Sequence, residues 1–440
     1  MSSVITRFPP SPTGHLHIGG VRTALFNYLF AKHHKGVMYL RFEDTDRERS
    51  KKEYEQDILD ALHWMGIPYD MLATPRQSER LPLYKAALTM LIEKGHAYEA
   101  EEAENNPGKK VVRFKNPNTV ITFSDLVRGE VTFDTTDLGD FVIARTIDEP
   151  LYHLAVVVDD HDMHISHVIR GEEHISNTPR QILTLEALGF ARPQYAHIPL
   201  ILAPDKSKLS KRHGAVSANE YRVQGFIPEA VINYLALLGW NPGGDRELYT
   251  LEELVEIFSL ERVHKSGAVF DIKKLKWFNH EYLKKLSDAA FLEHLHAFTE
   301  GQTLPSYTPQ IIPLLKERVE TLKEAADAVA SDEFSFMADT IETPSLTLLL
   351  QGAKADAAAV KEHLQKVADI LTSMLPTECT AEKAKEALFP YATEVGRSAV
   401  LWPLRVALSG KEKSPDPFTL LGLLGQDRAL ARIAAAGTVL

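Results

Sequence analysis

The chain has 440 residues, more than one hydrophobic core ordinarily organises, and its 44% hydrophobic and 25% charged content is that of a chain that folds. A formal net charge of -11 argues against indiscriminate binding of phosphate, so any contact with nucleic acid must come from local basic patches. One cysteine, Cys379, excludes an internal disulfide framework and a cysteine-rich zinc site. The longest apolar runs, 154–158 and 231–238, are too short for a bilayer and residues 1–8 carry no secretory segment, so the expectation is a cytoplasmic multidomain protein without membrane contact.

In chain order, residues 4–8 read as a strand, 19–34 as a helix closed by Gly36, and 37–42 as a second strand, which makes a βαβ unit. Helical patterns at 50–65 and 79–93 extend it towards a doubly wound α/β domain. Short β-prone runs at 111–115, 120–123 and 141–145, separated by Asn, Pro, Asp and Gly, suggest an inserted α+β module. The segments 151–158 and 165–170, a helix at 178–188 and a strand at 197–202 then restore the α/β rhythm. Beyond Tyr249 the pattern turns helical, and a helix over 313–330 would set Leu315, Val319, Leu322, Ala326 and Val329 on one face. Residues 335–344 and 409–417 are candidate loops or boundaries.

Two segments carry the chemistry. Residues 7–20 join a strand to a helix through three prolines and several glycines, and the free N–H groups at the helix start suit a phosphate. Alone, that is as well explained as an ordinary connection with His17 as a helix cap. Residues 205–214 form a short basic loop after the last strand of the α/β half, able to close over a polyphosphate, although a Lys/Arg cluster is more often a solvated surface.

Together the segments resemble the two signatures of class I aminoacyl-tRNA synthetases, His17-Ile18-Gly19-Gly20 standing for the first and Lys208-Leu209-Ser210-Lys211-Arg212 for the second. The blocks at 10–14, 41–46, 168–174 and 177–181 narrow the likeness to the glutamyl-tRNA synthetase family, whose glutaminyl relatives typically differ at the first two. Segments 231–240 and 403–410 also match, so the resemblance runs nearly end to end and is strongest before Trp240.

The resemblance implies a multidomain fold: a Rossmann-like α/β catalytic domain over 1–84 and 146–205, an α+β acceptor-binding insertion over 85–145, a stem-contact domain over 206–285 and a helical anticodon-binding region over 286–440. It implies activation of L-glutamate by ATP with Mg2+, then transfer to tRNA(Glu), with tRNA(Gln) left open, by a monomer. His17 and Lys211 are expected to be catalytic, and His17, Gly19, Glu173, His174, Lys208 and Lys211 to meet ATP. Arg7, Ser11, Glu43, Tyr152 and Arg170 are expected to hold glutamate, the arginines because a planar fork suits carboxylate. Pairing of Arg7 with Asp44 or Asp46, and a core role for Tyr152, are the plainer alternatives. Lys273, Lys274 and Lys276 beside Trp277 and Phe278 suit a tRNA backbone, or equally an ordinary lysine-rich helix face.

Many bacterial members of that family carry zinc in the insertion after a Gly-x-Ala-Tyr segment. Here Gly95-His96-Ala97-Tyr98 is followed by neither Cys nor His up to Arg145, so no structural zinc is expected and Val111, Phe114, Ile121, Phe123, Val131 and Phe133 should hold the module by packing. Two rivals remain: a truncated glutamyl-queuosine tRNA(Asp) synthetase, disfavoured by about 200 helical residues after Trp240, and a catalytically silent paralogue, disfavoured by the intact motifs.

Overall fold

The structure is a computed structural model that describes residues 3–101, 109–209 and 217–440. It divides into two units, residues 1–282 and 283–440, each described by itself. The first begins with β1 (Ile5–Phe8), α1 (Ile18–His33), β2 (Val37–Phe42), α2 (Lys52–Trp64), β3 (Asp70–Arg76) and α3 (Leu81–Glu93). Strands β1, β2 and β3 pair in parallel, with Ile5 opposite Val37 and Tyr39 opposite Asp70. Strand β3 was not anticipated, because its residues are mostly exposed and lack an apolar alternation.

The middle of the unit holds β4 (Ala97–Glu101), β5 (Lys110–Phe114), β6 (Val120–Asp125), β7 (Gly129–Asp134), β8 (Phe141–Thr146) and β9 (Glu149–Pro150). Then come α4 (Tyr152–Asp162), β10 (His167–Gly171), α5 (Thr178–Leu188), β11 (Gln194–Ile198) and β12 (Ile201–Leu202). Strands β4, β5, β8 and β9 form an antiparallel sheet, whereas the β6–β7 hairpin joins β11 and β10 in another. Parallel pairing of β11 with β6 places Tyr195 opposite Asp125, so the inserted hairpin extends the sheet that carries the site. Ser166 donates its backbone N–H to Ile5 O at 3.0 Å and sets β10 beside β1.

Val111, Phe114, Ile121 and Phe123 are buried, and Val131 and Phe133 pack against the cluster that α3, α4 and α5 share through Leu88, Leu154 and Ile182. Apolar packing therefore joins the inserted strands to the α/β core. The strand expected at 197–202 is two strands in different sheets, β11 and β12, since Pro199 has no N–H to continue a ladder. The unit continues with α6 (Ala218–Val223), α7 (Pro228–Leu237), α8 (Leu251–Ile257), β13 (Ala268–Val269) and α9 (Ile272–Lys285), and β13 pairs in parallel with β12.

The second unit has α10 (Asp288–Phe298), α11 (Thr308–Lys316), α12 (Leu322–Ala330), α13 (Leu346–Gln351), α14 (Ala357–Ser373), α15 (Ala381–Val395), α16 (Arg397–Ser409) and α17 (Pro417–Gly437). The single helix expected over 313–330 is α11 and α12. Thr321 starts α12 by accepting from Glu324 N, and Ala325 rather than Ala326 turns inward. Ser287, Ser345, Asp356, Thr380 and Asp416 cap other helices in the same way. The intervals 338–344 and 410–416 are irregular, but the division between units lies elsewhere, within α9. Among the described residues no helix is long and apolar enough to cross a membrane.

Gly36 is fixed by space: a Cβ there would lie 1.9 Å from Val4 O, at the turn from α1 into β2. Gly36→Ala is expected to lower the urea midpoint of the first unfolding transition, the overpacking costing about 1–3 kcal/mol. An unchanged midpoint would show that the turn gives way freely.

Candidate active site

Three prolines shape the turn from β1 to α1 and leave carbonyls for distant donors: Pro10 O accepts from Glu43 N and Pro12 O from Lys51 N, each at 3.0 Å. His17 caps α1, its Nδ1 accepting from Gly20 N at 3.1 Å. A cavity of about 660 Å³ opens there, at the start of α1 and the carboxyl ends of β10 and β11, the usual place for a ligand in an α/β sheet. His17, Gly19, Gly171, Glu173, Lys208 and Glu220 are on its wall.

The His17 ring faces this cavity, yet the protein packed around it lowers its pKa, Lys208 adds to the effect and Glu173 opposes it. The ring is therefore neutral near pH 7. Because Nδ1 accepts, its proton sits on Nε2, where it can be donated to a ligand. Lys208 Nζ lies 3.8 Å from Glu173 Oε1.

Lys211 falls in residues 210–216, outside the described residues, but both flanks of that segment are tied to the cavity. Leu209 N donates to Ile201 O at 3.1 Å and Ala218 N to Leu16 O at 2.7 Å. Asp57 on α2, which the sequence reading missed, joins the two regions: its carboxylate accepts from Leu16 N at 2.8 Å and from Asn219 Nδ2 at 2.9 Å.

Beside the cavity lies a buried ion cluster. Arg7 Nε donates to Asp160 at 3.3 Å, so the partners Asp44 and Asp46 considered from sequence are replaced by a carboxylate on α4. Arg41 donates to Asp160 Oδ1 at 2.8 Å and to Glu43 Oε1 at 3.0 Å, and its Nε is 3.4 Å from Asp159 Oδ2 without hydrogen-bond geometry. Asp159 also receives Arg80 Nε at 2.7 Å and Tyr84 Oη at 2.8 Å. Burial would raise the pKa of Asp160, but Arg7 and Arg41 outweigh it and keep the group ionised; for Glu43 burial prevails over Arg41 and raises the pKa. Arg41, Asp159 and Asp160 were missed as site residues, although two carboxylates closing the apolar run 154–158 were a visible signal.

Arg170 differs from Arg7 and Arg41. It is 5% exposed and, among the described residues, has no carboxylate at ion-pair distance. Its Nε reaches His197 Nε2 at 3.1 Å and its Nη2 reaches Thr178 Oγ1 at 2.8 Å, while buried Nη1 has no hydrogen-bond partner. Tyr152 is half-buried, with its hydroxyl 3.2 Å from His174 Nδ1; burial raises its pKa, and the charges of Arg170, Glu43 and Arg7 all bear on it.

Arg7, Glu43, Tyr152 and Arg170 are thus brought together. His174, expected to meet nucleotide, is grouped with Tyr152 and Arg170 and does not line the cavity. Ser11 is exposed on the turn, its carbonyl accepting from Thr13 N. On α9, Lys273 is exposed, Lys276 is half-buried, and Lys274 pairs with Glu247 Oε2 at 2.6 Å and lies 4.0 Å from the Trp277 ring centre.

Residues 3–106 and 99–277 match the model of the class I tRNA synthetase (E and Q) catalytic domain, and residues 272–437 match an anticodon binding domain. Curated relatives include the glutamate–tRNA ligase of Desulforamulus reducens, 40% identical over 99% of both chains. That of Aquifex aeolicus is 41% identical over 98% of each. A solved glutamate tRNA ligase from Elizabethkingia meningosepticum, in complex with its amino acid, superposes with a TM-score of 0.84 at 32% identity over the full length of both chains. The chain belongs to the class I tRNA synthetases, in the glutamate–tRNA ligase family.

Two half-buried histidines set an acid limit. Burial, then Arg180 and Arg170, lower the pKa of His153 to about 4; burial, then Arg170, do the same for His174. Both rings are neutral in the fold but bind a proton near 6.5 when unfolded, so the unfolded chain holds more protons between those values and stability falls as pH drops from 6.5 to 4. His153→Phe removes one such site and is expected to shrink the fall in melting temperature across that window. An equal fall in the variant would mean that His153 titrates normally in the fold.

Proposed function

We propose that this chain activates L-glutamate with ATP and esterifies it to the 3′-terminal adenosine of tRNA(Glu), with tRNA(Gln) as a second acceptor to be tested. The observation that carries the choice of amino acid is the buried Arg170 guanidinium, which among the described residues has an unpartnered nitrogen and no carboxylate at ion-pair distance and immediately precedes a cavity-wall residue, Gly171. A buried cation in that condition calls for an anion. Glutamate brings two carboxylates, and glutamine would set an amide N–H₂ against groups that can only donate. Arg7 adds a second positive charge and Tyr152 a hydroxyl, and Glu43, through the oxygen not held by Arg41, suits the ammonium.

In this reading a carboxylate oxygen of glutamate attacks the α-phosphorus of ATP and pyrophosphate leaves. The terminal ribose hydroxyl then attacks the glutamyl carbonyl, forming the ester and releasing AMP. No protein nucleophile is needed, and the protein contributes alignment and charge stabilisation. His17 donates from Nε2 to a phosphate oxygen, the α1 N-terminus faces the phosphates, and Lys208 and Lys211 neutralise growing charge. Magnesium bound with the nucleotide would supply positive charge to its phosphates, and Glu173 and Glu220 are the cavity-wall carboxylates that would meet it. The insertion works without zinc and the enzyme is a cytoplasmic monomer. The match of an anticodon domain to residues 272–437 weighs against the truncated queuosine-type enzyme.

Charging of purified tRNA(Glu) and tRNA(Gln) with labelled glutamate tests the reading, and failure to charge either would overturn it. Lys211→Ala is expected to slow activation by about a hundredfold, since one preorganised donor is worth a few kcal/mol in the transition state, with little change in glutamate affinity. Near-normal turnover would remove Lys211 from its role.

The α9 lysines are proposed to meet tRNA phosphates. Replacing Lys273, Lys274 and Lys276 by Ala should weaken tRNA binding and flatten its dependence on salt, Lys274 contributing less than Lys273 because Glu247 already holds it. An unaltered salt slope would make this a solvated face.

A further inference from the structure

We propose that His197 is a positioning residue that holds the Arg170 guanidinium for the substrate carboxylate, and that Asp125 fixes the one tautomer in which it can do so. The inference rests on the reading of Arg170 as a glutamate ligand and adds what orients it.

The contact follows from strand register. In the parallel β10–β11 pair Arg170 is the register partner of His197, and in the β11–β6 pair Asp125 is the partner of Tyr195, two residues before His197. Arginine, histidine and aspartate thus come from three neighbouring strands. The side chains of His197 and Asp125 are both 0% exposed, with His197 Nδ1 2.6 Å from Asp125 Oδ2. Asp125 is itself held: Oδ1 accepts from Val127 N at 2.9 Å and Arg128 N at 2.8 Å, and Oδ2 from His197 N at 3.1 Å.

The tautomer of His197 follows from its partners. A guanidinium can only donate, so the 3.1 Å contact from Arg170 Nε requires a bare acceptor at His197 Nε2. The ring proton must then be on Nδ1, where Asp125 accepts it. Thr178 Oγ1 accepts from Arg170 Nη2 and has its proton for His174 O or for His197 Nε2, each at 3.1 Å, so no donor in the chain meets another donor. Burial lowers the pKa of His197 although Asp125 opposes it, which agrees with a neutral ring. With Nε and Nη2 both held, the guanidinium plane is fixed, and Nη1 is the guanidinium nitrogen with no partner among the described residues.

Asp125→Asn is the sharpest test, because it keeps size and shape but places an N–H₂ where Oδ2 faces Nδ1. The amide would push the ring proton to Nε2, against the Arg170 N–H, as an aspartate-to-asparagine change does in other Asp–His pairs. The expected result in steady-state aminoacylation is a glutamate KM raised roughly tenfold or more, with the ATP KM within about twofold of wild type. His197→Leu should do the same, and His197→Gln, whose carbonyl can accept from Arg170, should recover part of the loss.

Arg170→Lys separates the two ideas. If it leaves the glutamate KM unchanged, Arg170 is not the ligand and the underlying reading falls. If it raises the KM while Asp125→Asn and both His197 variants do not, only the positioning role falls. In the Arg170→Lys background Asp125→Asn should add little, since the bond it disturbs is gone, and full additivity would overturn the proposal. Equal rises in the glutamate and ATP KM values, together with a lowered melting temperature, would also overturn it by reducing His197 and Asp125 to general supports of the fold.

Discussion

Asp159 and Asp160, adjacent on α4, are buried carboxylates that between them engage Arg7, Arg41 and Arg80. Those arginines come from β1, from β2 and from the turn before α3, so one helix end gathers the first half of the α/β sheet. Such a cluster is costly to dehydrate, and removal of one partner leaves a buried charge uncompensated at about 3–5 kcal/mol. Its value lies in orientation: Arg41, bonded to both Asp160 and Glu43, steadies the carboxylate that receives Arg7 Nε. Arg7 is thereby held near Tyr152 and Arg170 through Asp160.

The same region contains the opposite arrangement. Arg170 is as buried as its neighbours but is held by neutral acceptors, a histidine nitrogen and a threonine hydroxyl, rather than by carboxylates. Neutral acceptors fix geometry without cancelling charge. The contrast separates arginines with a carboxylate beside them from one that has none among the described residues, a distinction that residue type alone does not reveal.

The cavity and the ion cluster meet at the ends of parallel strands because every strand that feeds them runs in one direction. Residues 9–17 leave β1, Gly171 ends β10 with Glu173 just beyond it, and the segment 199–209 follows β11. His17 and Lys208, nearly two hundred residues apart, are therefore on the wall of one cavity. Asp57 makes the junction concrete by bonding Leu16 on one side and Asn219 on the other.

By itself the sequence determined the local elements and the family. The βαβ opening, the helix at 178–188 and the paired signature segments are short-range patterns, and short-range patterns survive in a linear reading. It also marked His17, Gly19, Glu173 and Lys208, which the fold places around one cavity. Only tertiary structure decided that Arg7 pairs with Asp160, that His174 sits with Tyr152, that 197–202 divides between two sheets at Pro199, and that Asp125 of an inserted hairpin reaches His197. Each of these depends on strand register or on which charge lies nearest after folding. Partners separated by between 22 and 153 positions leave no periodic trace in the sequence, so three-dimensional proximity alone sets their chemistry.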